Sequence, residues 1–272
     1  MKKYLTIAGV LASCEIALVL YLTFWRKVFW NYVEVKDYNH FLIYLLIFII
    51  VALVLCAITA LETYMSTLSA IKWREKLNKC GLALKHSDVE NANQRIQEDC
   101  SNYPTLVVTI GFGVVKAIVY LIVFSIALIH QFNAIYLIVI FLYGIIATFI
   151  ARIIAHPLID LNYRAQQMEA TYRNDLNEYN FKNCILVLLG LAKKLKHLNY
   201  FQSFYGQLSV IIPICIVAHD YFTTEMLLGG LMQATSMMAV ISEDLSFGIN
   251  SFDSINKLLS CRKRLLELGV LK

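Results

Sequence analysis

Charge, proline and glycine are all scarce in this chain. Charged side chains make up only 16% of the 272 residues, and 59% are hydrophobic; soluble domains sit nearer roughly 25% and 45–50%. That balance argues against a soluble enzyme. Three prolines and 11 glycines are too few for a loop-rich β-sandwich or a low-complexity linker. The seven cysteines (Cys14, Cys56, Cys80, Cys100, Cys184, Cys215 and Cys261) form no CxxC pair and have no accompanying histidine spacing. Neither a metal site nor a disulfide framework is expected from them; they read as small apolar packing residues. No GxxxxGK[ST] loop occurs, which excludes a Walker-type ATP site within the sequence. What is present is a mean hydropathy of +0.62 and a net charge of +5. In so apolar a chain, a basic balance points to the inner face of a membrane before it points to nucleic acid.

A helix needs roughly 20 mostly apolar residues to cross the bilayer core. Six stretches qualify: about 4–24, 41–61, 105–129, 134–151, 198–218 and 226–242. The second carries no charge, while Glu15 interrupts the first and Lys116 the third. The sixth, around LLGGLMQATSMM, is the most polar and is expected to line something wet. The start, MKKYLTIAGVLASCEIALVLYL, resembles a signal peptide, but its long run, Glu15 and the lack of an A-x-A site favour a retained first helix.

Lysine and arginine set the expected orientation. With the N-terminus inside, segments 1–3, 62–104, 152–197 and 243–272 hold 20 basic residues, and the opposite loops hold Arg26, Lys27 and Lys36. Such an excess predicts that both termini are cytoplasmic. The inner segments almost lack helix breakers, and Leu61, Met65, Leu68 and Ile71 continue a helical stripe past the second span. Helices two to five are therefore expected to run well beyond the membrane. The fold class is all-α integral membrane, a six-helix domain like the membrane half of an ABC exporter.

Several segments carry a more specific resemblance. FWNYVEVKDYNHF (29–41) is similar to an FYxxLQxxDxxxF run, IKWREKL (71–77) to RWRxxLT, and NQRIQED (93–99) to (D/A)QRIQED. HPLIDLNYRAQQMEATYRNDL (156–176) resembles RPLxxLNFxxQRxEAxFRxxL. IIPICIVAHDYFTTEMLLGGLMQ (211–233) resembles PxxVAPxYFxGxITLGGLMQ, and CRKRLLEL (261–268) a terminal RL signature. All six are collinear. They resemble the SbmA/BacA-like peptide transporters, whose membrane domain is shared with peroxisomal-type ABC half-transporters. The resemblance implies a homodimer in the bacterial inner membrane that imports peptides, driven by protons where no ATPase domain is attached. The chain stops at Lys272, directly after the RL signature, so a naked, proton-driven member is expected. The segment EYNFKNCILVLLGLAKK (178–194) departs from the family's glutamate-rich NAExIAFYxGE run.

The candidate proton-coupling and gating residues are Arg95, Glu98 and Asp99 beside Gln94 in the first inner crossing, and Glu169 with Arg173 at i,i+4. A carboxylate exchanging partners with Arg95 is the expected latch, a change that would shift that carboxylate's pKa; a fixed corner tying helices two and three is the alternative. Glu15 and Lys116 are cavity candidates that could pair, because a charge within a span costs roughly 2.5–3.5 kcal/mol on insertion scales. Glu243 and Asp244 are cavity candidates at the inner end of helix six, and Glu62 reads as a membrane-edge residue. Tyr221, Phe222 and GGLMQ (229–233) read as packing at an outer turn and a dimer seam near Ser236. No enzyme activity, cofactor, metal or nucleic acid is expected. The partners expected are a second copy, a peptide-like substrate, the lipid bilayer and, in the alternative of a split ABC transporter, a separate ATPase subunit; a non-transporting paralogue is a third reading.

Overall fold

The computed structural model of the chain describes residues 2–83, 92–175, 177–267 and 269–271. Among them there is no strand. The helices are α1 (Lys2–Glu34), α2 (Tyr38–Ala83), α3 (Ala92–Gln131), α4 (Ala134–Asn174), α5 (Glu178–Thr223), α6 (Leu228–Leu245), the single turn α7 (Phe247–Asn250) and α8 (Phe252–Glu267). The all-α integral membrane class follows. Among the described residues, α1 to α5 are long and apolar enough to cross a membrane. The 46-residue helices α2 and α5 are each about 69 Å long at 1.5 Å per residue, against about 30 Å of hydrocarbon. Their apolar parts lie toward the α1–α2, α3–α4 and α5–α6 turns. The surplus length therefore projects from the opposite end, which also holds the N-terminus and α8.

Short connections set this alternation. Lys36 turns the chain with a φ of 58°, and the Asp37 carboxylate receives the His40 backbone N–H at 3.2 Å to start α2. Asn133 and Asn177 do the same for α4 and α5, accepting from Ile135 N and Asn180 N. An aromatic corner closes α1 on α2: Trp25 stacks on Phe29 and packs on Phe48, and its Nε1 donates to the Tyr44 carbonyl at 3.0 Å.

Helix α6 is the axis of the bundle, packed by α1, α3, α4 and α5. Its Gln233, Ala234, Met237, Met238 and Ile241 are fully enclosed, within a cluster that includes Phe124, Leu128, Ile140 and Val217. The expectation that helix six lines a wet space is corrected: its small and flexible residues are used for close packing. The dimer-seam reading of GGLMQ falls with it, because Ser236 is only 8% exposed within a single chain. Instead α1 caps α6. Glu34 Oε2 accepts from Leu228 N at 2.7 Å and Asn31 Oδ1 from Gly229 N at 3.0 Å, meeting two of the free donors that begin any helix.

Gly229 lies so close to α1 that a Cβ there would run into the Lys27 carbonyl and the Asn31 side chain. Gly229→Val should therefore lower stability by about 3 kcal/mol, the upper part of the range for overpacking. Gly230→Ala, whose Cβ meets only the flexible Met226 side chain, should cost far less. Thermal unfolding in detergent, comparing the two variants, checks this.

Candidate ion-pair site within the membrane helices

Lys116 stands in the middle of α3, where a lone ammonium has no water to satisfy it. Its Nζ donates to Glu15 of α1 at 3.0 and 2.9 Å, and to Glu62 of α2 at 3.3 and 3.1 Å. One turn along α3, the Tyr120 hydroxyl donates to Glu15 Oε1 at 3.4 Å. The side chains of Lys116, Glu15 and Glu62 are 22%, 13% and 10% exposed, and the two carboxyls reach the same ammonium. Glu15 follows the face of α1 marked by buried Ala8, Ala12 and Ile16. Three helices are thus joined at one point, by groups that are costly alone in a membrane and tolerable when paired.

The structure brings Glu15 and Lys116 together as the sequence allowed, and corrects the placing of Glu62. A residue read as marking the membrane edge is 8% exposed and is the third member of the cluster. Helix α6 adds Asp244, half-buried near Lys116 and Tyr120, whereas Glu243 is exposed.

A second pair lies at the end where the chain termini gather. Asp99, only 2% exposed, takes Arg264 of α8 in a two-point bond, Nε to Oδ2 at 2.8 Å and Nη2 to Oδ1 at 2.7 Å. This bond raises Arg264 further above its ordinary pKa. Burial, and then Asp99, pushes the adjacent Cys261 thiol up to about 11. Leu265 sits beside it in an apolar knot with Leu77, Ile96 and Cys100, and a cavity of about 780 Å³ opens between α3, α5 and α8. Asp99 is held by Arg264, so the QRIQED segment and the terminal RL signature are two halves of one contact; the expected latch on Arg95 falls on a side chain outside the described residues. The side chains of Gln94, Arg95 and Arg173 lie outside the described residues, and Glu98 and Glu169 are exposed. Arg264 was not singled out by sequence; its place in the RL signature was the available signal. Nor was Asp220, whose carboxylate accepts a hydrogen bond from the Tyr136 hydroxyl at the opposite end.

Long membrane helices around a central α6, with paired charges at span depth, define a polytopic membrane protein with an ionisable interior. The chain belongs to the SbmA/BacA-like family, whose model matches residues 27–270. It is also similar to the inner membrane ABC transporter ATP-binding protein YddA of Escherichia coli, 22% identical over 91% of this chain and 53% of that protein. The chloroplastic ABC transporter D family member 2 of Arabidopsis thaliana is 24% identical over 76% of this chain and 34% of its own length. An uncharacterized ABC transporter ATP-binding protein of Haemophilus influenzae is 25% identical over 69% of this chain and 37% of that protein. The chain spans about half or less of the length of these relatives.

Proposed function

We propose that the chain is a proton-coupled importer of peptides or peptide-like compounds, working as a homodimer by alternating access in a bacterial inner membrane with both termini cytoplasmic. The observation that carries this reading is the cluster of Glu15, Glu62 and Lys116 at span depth. Acidic groups kept inside a membrane at such cost mark ion pathways and proton relays. In alternating access, proton occupancy biases the balance between outward- and inward-open states, and a few kcal/mol of differential affinity suffices. Membership of the family supports the peptide class and the dimer, and the excess of basic residues on one side supports the orientation.

A second reading, the membrane part of an ATP-driven transporter, is favoured by the relatives named as ATP-binding proteins. The Asp99–Arg264 tie supports it too, since α8 would transmit movement from an ATPase to α3. Uptake of a labelled proline-rich peptide into proteoliposomes separates the two. Proton coupling predicts uptake that follows an imposed pH gradient and stops with a protonophore. Uptake that persists with the protonophore, or that requires an added ATPase and ATP, overturns the first reading in favour of the second.

A further inference from the structure

The chain turns basic where the apolar runs of α4 and α5 stop, and a cleft opens at that level. It has a volume of about 270 Å³ and is walled by Ala151 and Ala155 of α4, Leu198 of α5 and Phe252 of α8. Ala155, Leu158 and Leu198 form a small apolar core on which Phe252 packs, and this holds the wall in place. Arg152 and His156 also line the cleft and are exposed. Standing four residues apart, they share one flank of α4. On α5, the segment that departs from the glutamate-rich run ends in Lys193 and Lys194, with Lys196 two residues on, and all three are exposed. Among the described residues, neither Arg152 nor these lysines form an ion pair. The acids in the neighbouring stretches are Asp160 of α4 and Asp253 of α8, both exposed, so this edge stays net positive.

A basic fringe by itself is what membrane orientation requires of any such chain. Orientation does not require an apolar cleft beside it. We infer that the cleft seats one anionic phospholipid in each chain, with the phosphate on Arg152 and His156 and part of one acyl chain against Ala151, Ala155, Leu198 and Phe252. The guanidinium offers paired N–H donors that match a phosphate, and the His156 ring adds an N–H. The lysines of α5 strengthen the attraction for an anionic leaflet. A cleft just below the roughly 300–1,000 Å³ of ordinary ligand pockets admits a length of acyl chain and excludes a bulky substrate. A lipid seated there touches α4, α5 and α8 together, and so ties the helix that carries Arg264 to the membrane edge. The site shares no residue with the ion-pair cluster, and it depends on neither the substrate nor the energy source of transport.

The test is native mass spectrometry of the full chain in detergent, titrated separately with phosphatidylglycerol, phosphatidylcholine and inorganic phosphate. The expected result is one phosphatidylglycerol retained per chain in preference to phosphatidylcholine. Arg152→Gln should weaken that binding about fivefold, the worth of one basic side chain near an anionic surface. Arg262→Gln, an equal change of charge at an exposed position of α8, should leave it unaltered. Gly248 of α7 also lines the cleft, and a Cβ added there meets open space. Gly248→Leu should therefore fill the cleft with every charge intact and weaken binding at least about fourfold, the worth of one methylene kept out. Equal retention of the two lipids by the parent protein overturns the proposal whether or not any variant folds. Equal losses in Arg152→Gln and Arg262→Gln, or no loss in Gly248→Leu, reduce the effect to general surface charge and overturn it as well. Displacement of phosphatidylglycerol by inorganic phosphate would assign the site to a free anion and contradict the lipid.

Discussion

Lys116→Met should be among the most destabilising single changes in the protein, with a loss of about 3–5 kcal/mol, as expected when one partner of a buried ion pair is removed. The reason is the geometry: Glu15 and Glu62, 13% and 10% exposed, would face each other with no cation between them. The loss should shrink as pH falls, because protonating the two carboxyls removes the repulsion that the lysine had neutralised. Combining Lys116→Met with Glu15→Gln and Glu62→Gln should recover much of it, since replacing a whole buried network is often close to neutral. Thermal unfolding of the single and triple variants in detergent at two pH values measures all three effects. A single variant as stable as the parent at neutral pH would mean that the carboxyls reach water without the lysine.

The second large effect is expected at the other end of α3. Arg264→Met leaves Asp99 with a side chain only 3% exposed and no bidentate partner, again a loss of about 3–5 kcal/mol. Asp99→Asn should cost less, because Arg264 is 39% exposed and can turn to solvent. The structural consequence is local: α8 should lift from α3. Cys261, 3% exposed at present, should then react with a maleimide in Arg264→Met far faster than in the parent, mapped by peptide mass spectrometry. Slow labelling in both would show that the apolar knot around Leu265 holds α8 without the ion pair.

These two sites were not equally legible in the sequence. Glu15 and Lys116 stood out because a charge inside an apolar run has to be explained. Glu62 did not, since it closes its apolar run and looks like an ordinary boundary residue; only the α1–α2 hairpin and the position of α3 bring it to Lys116. Asp99 stands out within the QRIQED segment, but nothing in that segment points to its partner. Arg264 is 165 residues away, and no local spacing joins them. The long helices were readable from continuous hydrophobicity and the rarity of proline and glycine. Helix α6 was misjudged for a physical reason. Small and polar residues such as Gly229, Gly230 and Ser236 permit close packing as readily as they line water, and composition alone does not separate the two uses.

The most direct test of the central claim is proton movement that accompanies substrate entry. Proteoliposomes loaded with a pH-sensitive dye should acidify when a proline-rich peptide is added outside, with no ATP present. Glu62→Gln and Glu15→Gln should abolish that acidification, and Glu169→Gln should leave it intact. Peptide entry without acidification, or acidification unchanged in both cluster variants, would contradict the account.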